Sequence, residues 1–569
     1  MEKAIYIGTD DFTEIVNGNY YYVDKTLLIK ELLDKPAKVT LFTRPRRFGK
    51  TLNTMMLRTF FENIPGNDVY FHHLNIWDSG EKYTRFQGKY PVIFLTFKDA
   101  KCDTWEETYE SICRLIQKEF NRHAMLGHFE SLNTYQKKQV EKILDETAGP
   151  VVYKDALGDL TEYLHQAEGV KPIILIDEYD TPIMQGHAKG FERDVITFIR
   201  NLFSGGMKNN IHLERAILTG ILRIAQEDIF SGLNNIRVAT LLDKDFNNYF
   251  GFTENEVKEI ADYYGVPDKI FEIRKWYDGY LFGGTEIYNP WSVMNYFASG
   301  CTPGTYWTAT SSNDILKDIL KTASPEIITN LTTLMNGESF RAYIETQLAY
   351  GSSESENRND TLYSLLLMSG YLREERPLDT KKVEMGLSAT YDLSIPNREI
   401  AEVYRKEIFE QMTRTSITSS PHRFLEAVMF DDPDLIQEQL RELLLVNTSF
   451  HDTASESFYH ALVLGLLSAV GGNYRIYSNQ ESGDGRYDLQ LVDYDGKKGI
   501  LFEFKILKGV SGTESDIMES LKRTAREAAL GQMEEKHYDV GLRKCGITNI
   551  VKYGVAFCKK YVAVEKADQ

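Results

Sequence analysis

Apolar runs alternate with longer amphipathic segments over the first half of the chain. The apolar runs lie at 38–43, 90–97, 172–176 and 215–220. Runs that are apolar almost throughout are typical of parallel strands buried on both faces by helices. The run at 38–43 is followed by an apolar-periodic helix over 52–62. The pattern therefore predicts an α/β domain with a largely parallel sheet over residues 1–290.

The pattern changes twice further along the chain. Residues 291–395 form a section that we predict to be mostly helical. Within it we expect helices at 313–322 and 360–371 and an exposed loop at 351–360. A third domain, 396–569, begins with helices and changes to strands near Tyr474.

Composition and charge narrow the class of protein. The chain has 569 residues, of which 42% are hydrophobic and 26% are charged, as in soluble globular proteins of several domains. We find no apolar run near the ~20 residues that span a bilayer and no signal peptide, so no membrane partner is expected. The five cysteines form no CxxC pair, which predicts a reduced, cytoplasmic protein. The net charge of −18 argues against nonspecific coating of nucleic acid.

A candidate phosphate-binding loop follows the first strand. Residues 44–51 read R-P-R-R-F-G-K-T, whereas a Walker A loop reads G-x-x-x-x-G-K-[ST]. In this interpretation backbone N–H groups of the loop surround phosphates, Lys50 reaches the terminal ones and Thr51 holds Mg²⁺. The loop residues that we expect to bind nucleotide are Arg44, Pro45, Arg46, Arg47, Phe48, Gly49, Lys50 and Thr51.

A later strand that ends in two acidic residues would supply the second part of the nucleotide site. Residues 172–178 read P-I-I-L-I-D-E, which is the Walker B form. Asp177 would bind Mg²⁺ together with Thr51, and Glu178 would polarise the attacking water. Thr219 lies at the end of the next strand, where a γ-phosphate sensor is expected, and Arg223 follows it as a candidate charge sensor. For the two residues, a strand-end turn and a surface arginine are equal alternatives.

Arg44 stands where the Walker A loop has its first glycine. Glycine there permits close approach of the backbone to phosphate. Arginine would add a cation near the phosphates and make the loop less close-fitting. We therefore expect nucleotide binding with slow hydrolysis.

A second candidate site lies in a hairpin near the C-terminus. Strands are predicted at 486–492 and 499–505, joined by a turn at 493–498 that carries Asp495-Gly496. Because side chains alternate along a strand, Glu503 and Lys505 share one face, and Asp488 can meet them from the neighbouring strand. Two carboxylates suit a divalent cation that stabilises charge on a scissile phosphate. Lys505 can orient the attacking water or help to deprotonate it.

Two further residues are candidates for this site. Glu456 opens an amphipathic helix upstream and would supply a further metal ligand. Gln532, on a helix after the strands, would support the site. For each of them a helix-surface role is an equal alternative.

These motifs together resemble a family of bacterial proteins with an AAA-ATPase-like N-terminal domain and a C-terminal PD-(D/E)XK nuclease domain. The matching segments are 22–26, 44–52, 60–61, 176–182, 276–280, 288–292, 478–488 and 503–505. The resemblance implies that Arg44 is the family's own form of the loop. It also implies a restriction-endonuclease-like α/β fold for the last domain, and its architecture suggests defence against foreign nucleic acid.

Two functions fit these residues. In the first, the protein is an ATPase and a nuclease that requires Mg²⁺ or Mn²⁺, and ATP controls access to Asp488, Glu503 and Lys505. In the second, it is a nucleotide-dependent switch whose last domain clamps nucleic acid or a protein partner without turnover. DNA and RNA are both open as substrates, and an oligomer is one of the allowed states. For the aromatic block 276–280 we expect packing rather than base stacking.

Overall fold

The computed structural model describes most of the chain in two compact units. The described residues are 3–224, 229–230, 236–307, 325–335, 337–345, 358–375, 390–404, 421–447, 459, 463–464, 466–467, 474–478, 481–493, 497–508 and 512–567. Unit 1 comprises 1–309 with 341–399, and unit 2 comprises 310–340 with 400–569. The helix predicted at 313–322, the loop residues 351–357, the Asp495-Gly496 turn and Glu456 lie outside the described residues.

Unit 1 is built on a five-stranded parallel sheet in the order β2-β3-β4-β1-β5. Its strands are β1 (Val39–Thr43), β2 (Val92–Thr96), β3 (Ile173–Asp177), β4 (Arg215–Gly220) and β5 (Ile236–Ala239). Every residue of β1 and β3 is buried, because helices cover both faces of the sheet. Since β4 lies between β1 and β3, the carboxyl ends of these three strands are neighbours.

The helices of unit 1 surround this sheet and extend to a second, smaller core. They are Phe12–Asn17, Leu27–Asp34, Lys50–Phe61, Asn75–Asp78, Glu81–Thr84, Trp105–Met125, Thr134–Leu144, Pro150–Glu168, Thr181–Lys189, Glu192–Met207, Glu254–Tyr263, Ile270–Tyr277, Pro290–Ala298 and Arg358–Ser369. Several begin at side-chain caps. Asn133 and Thr253 each form a capping box with the residue three positions later, which satisfies N–H groups that a helix start leaves unpaired.

Two small sheets follow the parallel one along the chain. The antiparallel sheet β6-β8-β7 contains β6 (Phe252–Thr253), β7 (Tyr280–Phe282) and β8 (Thr285–Tyr288). The second, in the order β10-β11-β9, contains β9 (Phe340–Tyr343), β10 (Arg373–Glu374) and β11 (Thr390–Ser394). The section that we predicted to be mostly helical thus also contains a sheet, whose strands are too short for their periodicity to be recognised.

Unit 2 contains a five-stranded sheet in the order β12-β15-β16-β17-β18, with a separate hairpin, β13-β14. The strands are β12 (Tyr474–Ser478), β13 (Glu481–Ser482), β14 (Gly485–Arg486), β15 (Leu489–Asp493), β16 (Lys498–Ile506), β17 (Asn549–Cys558) and β18 (Tyr561–Lys566). The β16–β17 pair is parallel and its neighbours are antiparallel. The helices are Pro325–Met335, Pro421–Met429, Pro433–Asn447, Glu514–Thr524, Gly531–Glu535 and Val540–Lys544, and the π-helix Ala525–Leu530 joins two of them.

The fold class is confirmed: a parallel α/β unit precedes a smaller α/β unit with a mixed sheet. The domain boundaries at residues 290 and 395 stay predictions. None of the described helices combines the length and the apolar character that crossing a membrane requires.

Candidate functional site

The loop after β1 returns the chain directly into a helix. The main-chain N–H of Arg44 donates to the carbonyl of Gly220 at the end of β4 (3.0 Å), which ties the start of the loop to the sheet. Gly49 caps the helix Lys50–Phe61 with a φ of 78°, a left-handed conformation that favours glycine. Arg47 also has a positive φ, 68°. The backbone of the loop is therefore tightly turned at two places.

Lys50 lies folded over this loop. Its side chain is buried, and its Nζ donates to the carbonyls of Arg44 (3.1 Å) and Pro45 (2.8 Å). Burial lowers the pKa of Lys50, while the charges of Glu178 and Asp177 act in the opposite direction. The ammonium group thus stays close to acidic residues and bonded to the loop's own carbonyls.

Asp177, the last residue of β3, connects the helix Lys50–Phe61 with β4. Its Oδ2 accepts from the hydroxyl of Thr51 (2.8 Å) and its Oδ1 from the hydroxyl of Thr219 (2.5 Å). The carboxyl group is fully buried, and this burial raises its pKa, although both hydroxyls act to lower it. The structure thus brings together the Walker A threonine, the Walker B aspartate and the candidate sensor Thr219.

Glu178 lies next to this group with its side chain half-buried. It has a φ of 52°, and its Oε2 accepts from the hydroxyl of Thr181 (3.2 Å). Its main-chain N–H donates to the Thr219 hydroxyl (3.3 Å), so the same threonine contacts both acidic residues. Arg223 is half-buried after β4, and within the described part of the chain no hydrogen bond or ion pair links it to the loop.

One acidic residue of this region was missed by the sequence interpretation. Asp180 is 1% exposed, and its Oδ2 accepts from the main-chain N–H groups of Ile221 and Leu222, both at 2.8 Å. It fixes the turn that follows β4. Only its place after an apolar strand, beside two other acidic residues, could have indicated such a role.

The expected position of the Arg44 side chain requires a correction. Its guanidinium is fully buried and donates to the carbonyls of Thr43 (2.8 Å), Ala239 (2.7 Å) and Phe246 (3.3 Å). Burial lowers its pKa to about 10. The side chain therefore ties the start of the loop to β5 and to the segment after it instead of placing a cation beside phosphates. The physical reason is that main-chain carbonyls at the end of the sheet compete for its N–H groups.

The second candidate site centres on Glu503 in β16. Glu503 is 2% exposed, and its Oε1 accepts from the ammonium of Lys505 (2.8 Å) and the amide of Gln532 (2.5 Å). Its buried Oε2 has no hydrogen-bond partner among the described residues. Burial, and next the charge of Asp488, raise the pKa of Glu503 to about 7.

Asp488 lies just before β15, where the register pairs Leu489 with Phe502. Its Oδ2 accepts from the main-chain N–H of Phe504 (2.6 Å), which fixes the carboxylate beside β16. Gln532 Nε2 also donates to the hydroxyl of Tyr538 (2.8 Å). Tyr538 was missed in the sequence because its link to Glu503 runs through Gln532 and depends on tertiary contact.

These residues fit a hard divalent cation in one respect. An oxygen of Glu503 is buried without a partner, and Asp488 is close enough for its charge to act on Glu503. Among the described residues, however, no group of three or more His, Cys, Asp or Glu side chains could hold a metal. Glu456, the predicted third acid, lies outside them.

The aromatic block 276–280 is packed against residues 396–399. Gly279 has a φ of 103°, and a Cβ there would lie 1.9 Å from the carbonyl oxygen of Pro396. The amide of Asn397 donates to the carbonyl of Asp278 (2.8 Å), and the guanidinium of Arg398 lies 4.7 Å from the centroid of the Trp276 ring. The contacts in this block are those of a packed core.

Comparison with known proteins finds a family match in each of two parts of the chain. Residues 6–230 match the family model described as "Predicted AAA-ATPase". Residues 454–567 match the model of the PD-(D/E)XK nuclease superfamily. The chain carries both domains.

Similarity also extends over nearly the whole chain of one curated protein. A protein of Azotobacter chroococcum mcd 1, described as "Uncharacterized protein in vnfD 5'region", is 28% identical over 535 residues, covering 89% of this chain and 90% of its own. No solved structure matches. The AAA-ATPase-like match contains the loop 44–51, and the PD-(D/E)XK match contains Asp488, Glu503 and Lys505.

Proposed function

We propose that this protein binds ATP and is a metal-dependent nuclease whose cleavage of phosphodiester bonds is regulated by the nucleotide. The observation that carries the proposal is Glu503, which is buried with one oxygen bonded to Lys505 and Gln532 and the other without a described partner. A buried carboxylate with a raised pKa costs folding free energy, and a bound cation beside the unpaired oxygen would offset that cost. Such groups occur preferentially at functional sites.

Each residue of the nuclease site has a role in this proposal. Asp488 and Glu503 would hold Mg²⁺ or Mn²⁺, which supplies stabilisation of negative charge at the scissile phosphate. Lys505 would orient the attacking water or accept its proton. Gln532 and the N–H of Phe504 hold the two carboxylates in place through the hydrogen bonds described above.

Each residue of the candidate nucleotide site also has a role in this proposal. Thr51 and Asp177, which are hydrogen-bonded to each other, would hold the Mg²⁺ of ATP. Lys50 would leave the loop carbonyls and bind the terminal phosphates. Glu178 would polarise the attacking water, and Thr219 would sense the γ-phosphate through its bond to Asp177.

A cleavage assay tests the proposal directly. Purified protein is incubated with single- and double-stranded DNA and RNA in Mg²⁺ or Mn²⁺, with ATP, ADP, a nonhydrolysable ATP analogue or no nucleotide. We expect Glu503→Ala and Lys505→Ala each to lose cleavage by about 100-fold or more. We expect Lys50→Ala to cleave at one rate whether or not ATP is added.

Two results would contradict separate parts of the proposal. Cleavage that is unchanged in both Glu503→Ala and Lys505→Ala would reject the nuclease site. Wild-type cleavage that is the same under all nucleotide conditions would reject regulation by ATP while leaving the nuclease in place.

A second function, a nucleotide-dependent switch that clamps nucleic acid or a protein partner without turnover, has one observation in its favour. The described residues of the nuclease-like site supply two carboxylates and no third metal ligand. Electrophoretic mobility shifts with labelled DNA and RNA distinguish the two functions. Tight ATP-dependent binding without cleavage in either metal would favour the switch.

We also propose that the protein acts in the cytoplasm in defence against foreign nucleic acid. All five cysteines are free thiols, as expected for a reducing compartment, and the pairing of the two domains suggests the role. We expect bacteria that express the wild type to yield fewer phage plaques than bacteria that express Glu503→Ala. Equal plaque counts would reject the defence role.

A further inference from the structure

The three arginines of the loop after β1 have different surroundings. The guanidinium of Arg44 is buried against carbonyls, and that of Arg47 lies 4.3 Å from the centroid of the Trp291 ring. The Arg46 side chain is half-buried, and among the described residues it has no hydrogen bond, ion pair or ring contact. Of the three, Arg46 is the one whose guanidinium is available to an incoming anion.

The backbone of Arg46 is held by a buried tryptophan. The indole Nε1 of Trp307 donates to the carbonyl of Arg46 (3.3 Å), and Trp307 is 1% exposed. The main-chain N–H of Trp307 donates to Glu399 (2.7 Å), and its ring packs edge-on against Tyr371 with centroids 4.9 Å apart. Arg46 therefore extends from a fixed point of the backbone, although its guanidinium is not bound.

Three cationic residues lie close together in the sequence here: Arg46, Arg47 and Lys50. The ammonium of Lys50 donates to the carbonyls of Arg44 and Pro45, so it lies over the segment that leads into Arg46. An anion with several charges would supply a partner for the guanidinium of Arg46.

We propose that Arg46 contacts the terminal phosphate of ATP from within the same chain, and that Trp307 is its positioning residue. This inference rests on the ATP site proposed above and adds the group that stabilises charge on the phosphate being transferred. In nucleotide triphosphatases, an arginine that stabilises this charge is supplied either within the chain or by a second protein. Here a single chain would suffice, so hydrolysis would need no neighbouring subunit.

Binding of ADP and of ATPγS, measured by calorimetry, tests the contact without relying on turnover. We expect the wild type to bind ATPγS more tightly than ADP and Arg46→Gln to lose most of that preference, with its ADP affinity changed less than about threefold. Arg114→Gln, which removes an exposed charge from the helix Trp105–Met125, is the matched control and should keep the preference. Trp307→Phe keeps an aromatic ring but removes the indole N–H, and it should reduce the preference partially.

Steady-state hydrolysis gives the second measurement. We expect Arg46→Gln to lower kcat by about 100-fold with little change in KM, and the wild-type rate per molecule to be independent of protein concentration. A preference for ATPγS that is intact in Arg46→Gln would overturn the inference, as would a rate per molecule that rises steeply with concentration. If the wild type bound neither nucleotide, the proposed ATP site itself would fail, so the two failures are distinguishable.

Discussion

Each candidate site contains a buried carboxylate, and the two carboxylates differ in how many of their oxygens accept hydrogen bonds. Asp177 has both oxygens bonded to threonine hydroxyls, whereas Glu503 has one oxygen bonded and one without a described partner. A fully paired buried carboxylate is a stable part of the fold, while a half-paired one carries a cost that a ligand would remove. This difference makes Glu503 the residue at which a change should most directly affect chemistry.

The first prediction concerns the residue that holds Glu503. Gln532→Ala removes the donor to Glu503 Oε1, so the carboxylate should lose its orientation and cleavage should fall by about 10- to 100-fold. Cleavage is measured under the conditions in which the wild type is most active, with circular dichroism to verify folding. Glu535→Ala, an exposed change on the same helix, is the control. Equal rates in both variants would show that Gln532 does not support the site.

The length of a strand determined whether the sequence could predict it. The buried strands β1 to β4 and the hairpin strands β15 and β16 were predicted, because continuous apolar runs and clear alternation are strong signals. Strands β9 to β11 have two to five residues and escaped notice. Asp177 was identified from its strand, whereas Asp180 and Tyr538 act through contacts with distant segments that no local pattern records.

The second prediction concerns the turn before β7. Gly279→Ala would place a Cβ 1.9 Å from the carbonyl oxygen of Pro396 in a backbone with a φ of 103°, so the backbone would have to move. We expect a loss of about 3 kcal/mol or more in the free energy of unfolding, measured by urea denaturation. Gly265→Ala is the matched control: its φ is also positive, 69°, but a Cβ there meets nothing within 4 Å, so about 1 kcal/mol is expected. Equal losses would show that the contact with Pro396 is not decisive.

The third prediction concerns pH and the segment that packs against Trp307. Glu399 accepts from Ser292 and Trp307, and burial raises its pKa to about 7 from 4.5. The folded state therefore holds this proton more tightly than the unfolded state. Its contribution to stability is complete below about pH 4.5 and is lost as pH rises through 7, on the order of 3 kcal/mol in total.

Glu399→Gln tests this dependence because it keeps an acceptor for the Trp307 N–H and cannot ionise. We expect the free energy of unfolding of the variant to fall less than that of the wild type between pH 5 and pH 8. Urea denaturation at several pH values measures the difference. Parallel curves for the two proteins would contradict the assignment.

For the whole molecule, the two family matches lie in two units with separate cores. The AAA-ATPase-like match lies in the first unit and the PD-(D/E)XK match in the second. Each unit has its own buried apolar cluster, around β1 to β4 in one and around β12 and β15 to β18 in the other. Units with independent cores are able to unfold in separate transitions.

The fourth prediction uses this independence to locate the nucleotide. A ligand that binds only the folded state stabilises it by about 2.7 kcal/mol at 100 times its Kd. We expect differential scanning calorimetry to resolve two transitions, and ATP with Mg²⁺ to raise the midpoint of one of them. In Lys50→Ala neither midpoint should move, because the ammonium that reaches the phosphates is absent.

A second variant shows which of the two units unfolds in the transition that ATP shifts. Gly279→Ala lies in the first unit, so it should lower the midpoint of the transition that ATP raises and leave the other in place. If ATP raised the other transition instead, the nucleotide would bind the nuclease-like unit and the assignment to residues 44–51 would be wrong. If ATP raised both midpoints in the wild type, binding in one unit would also stabilise the other unit.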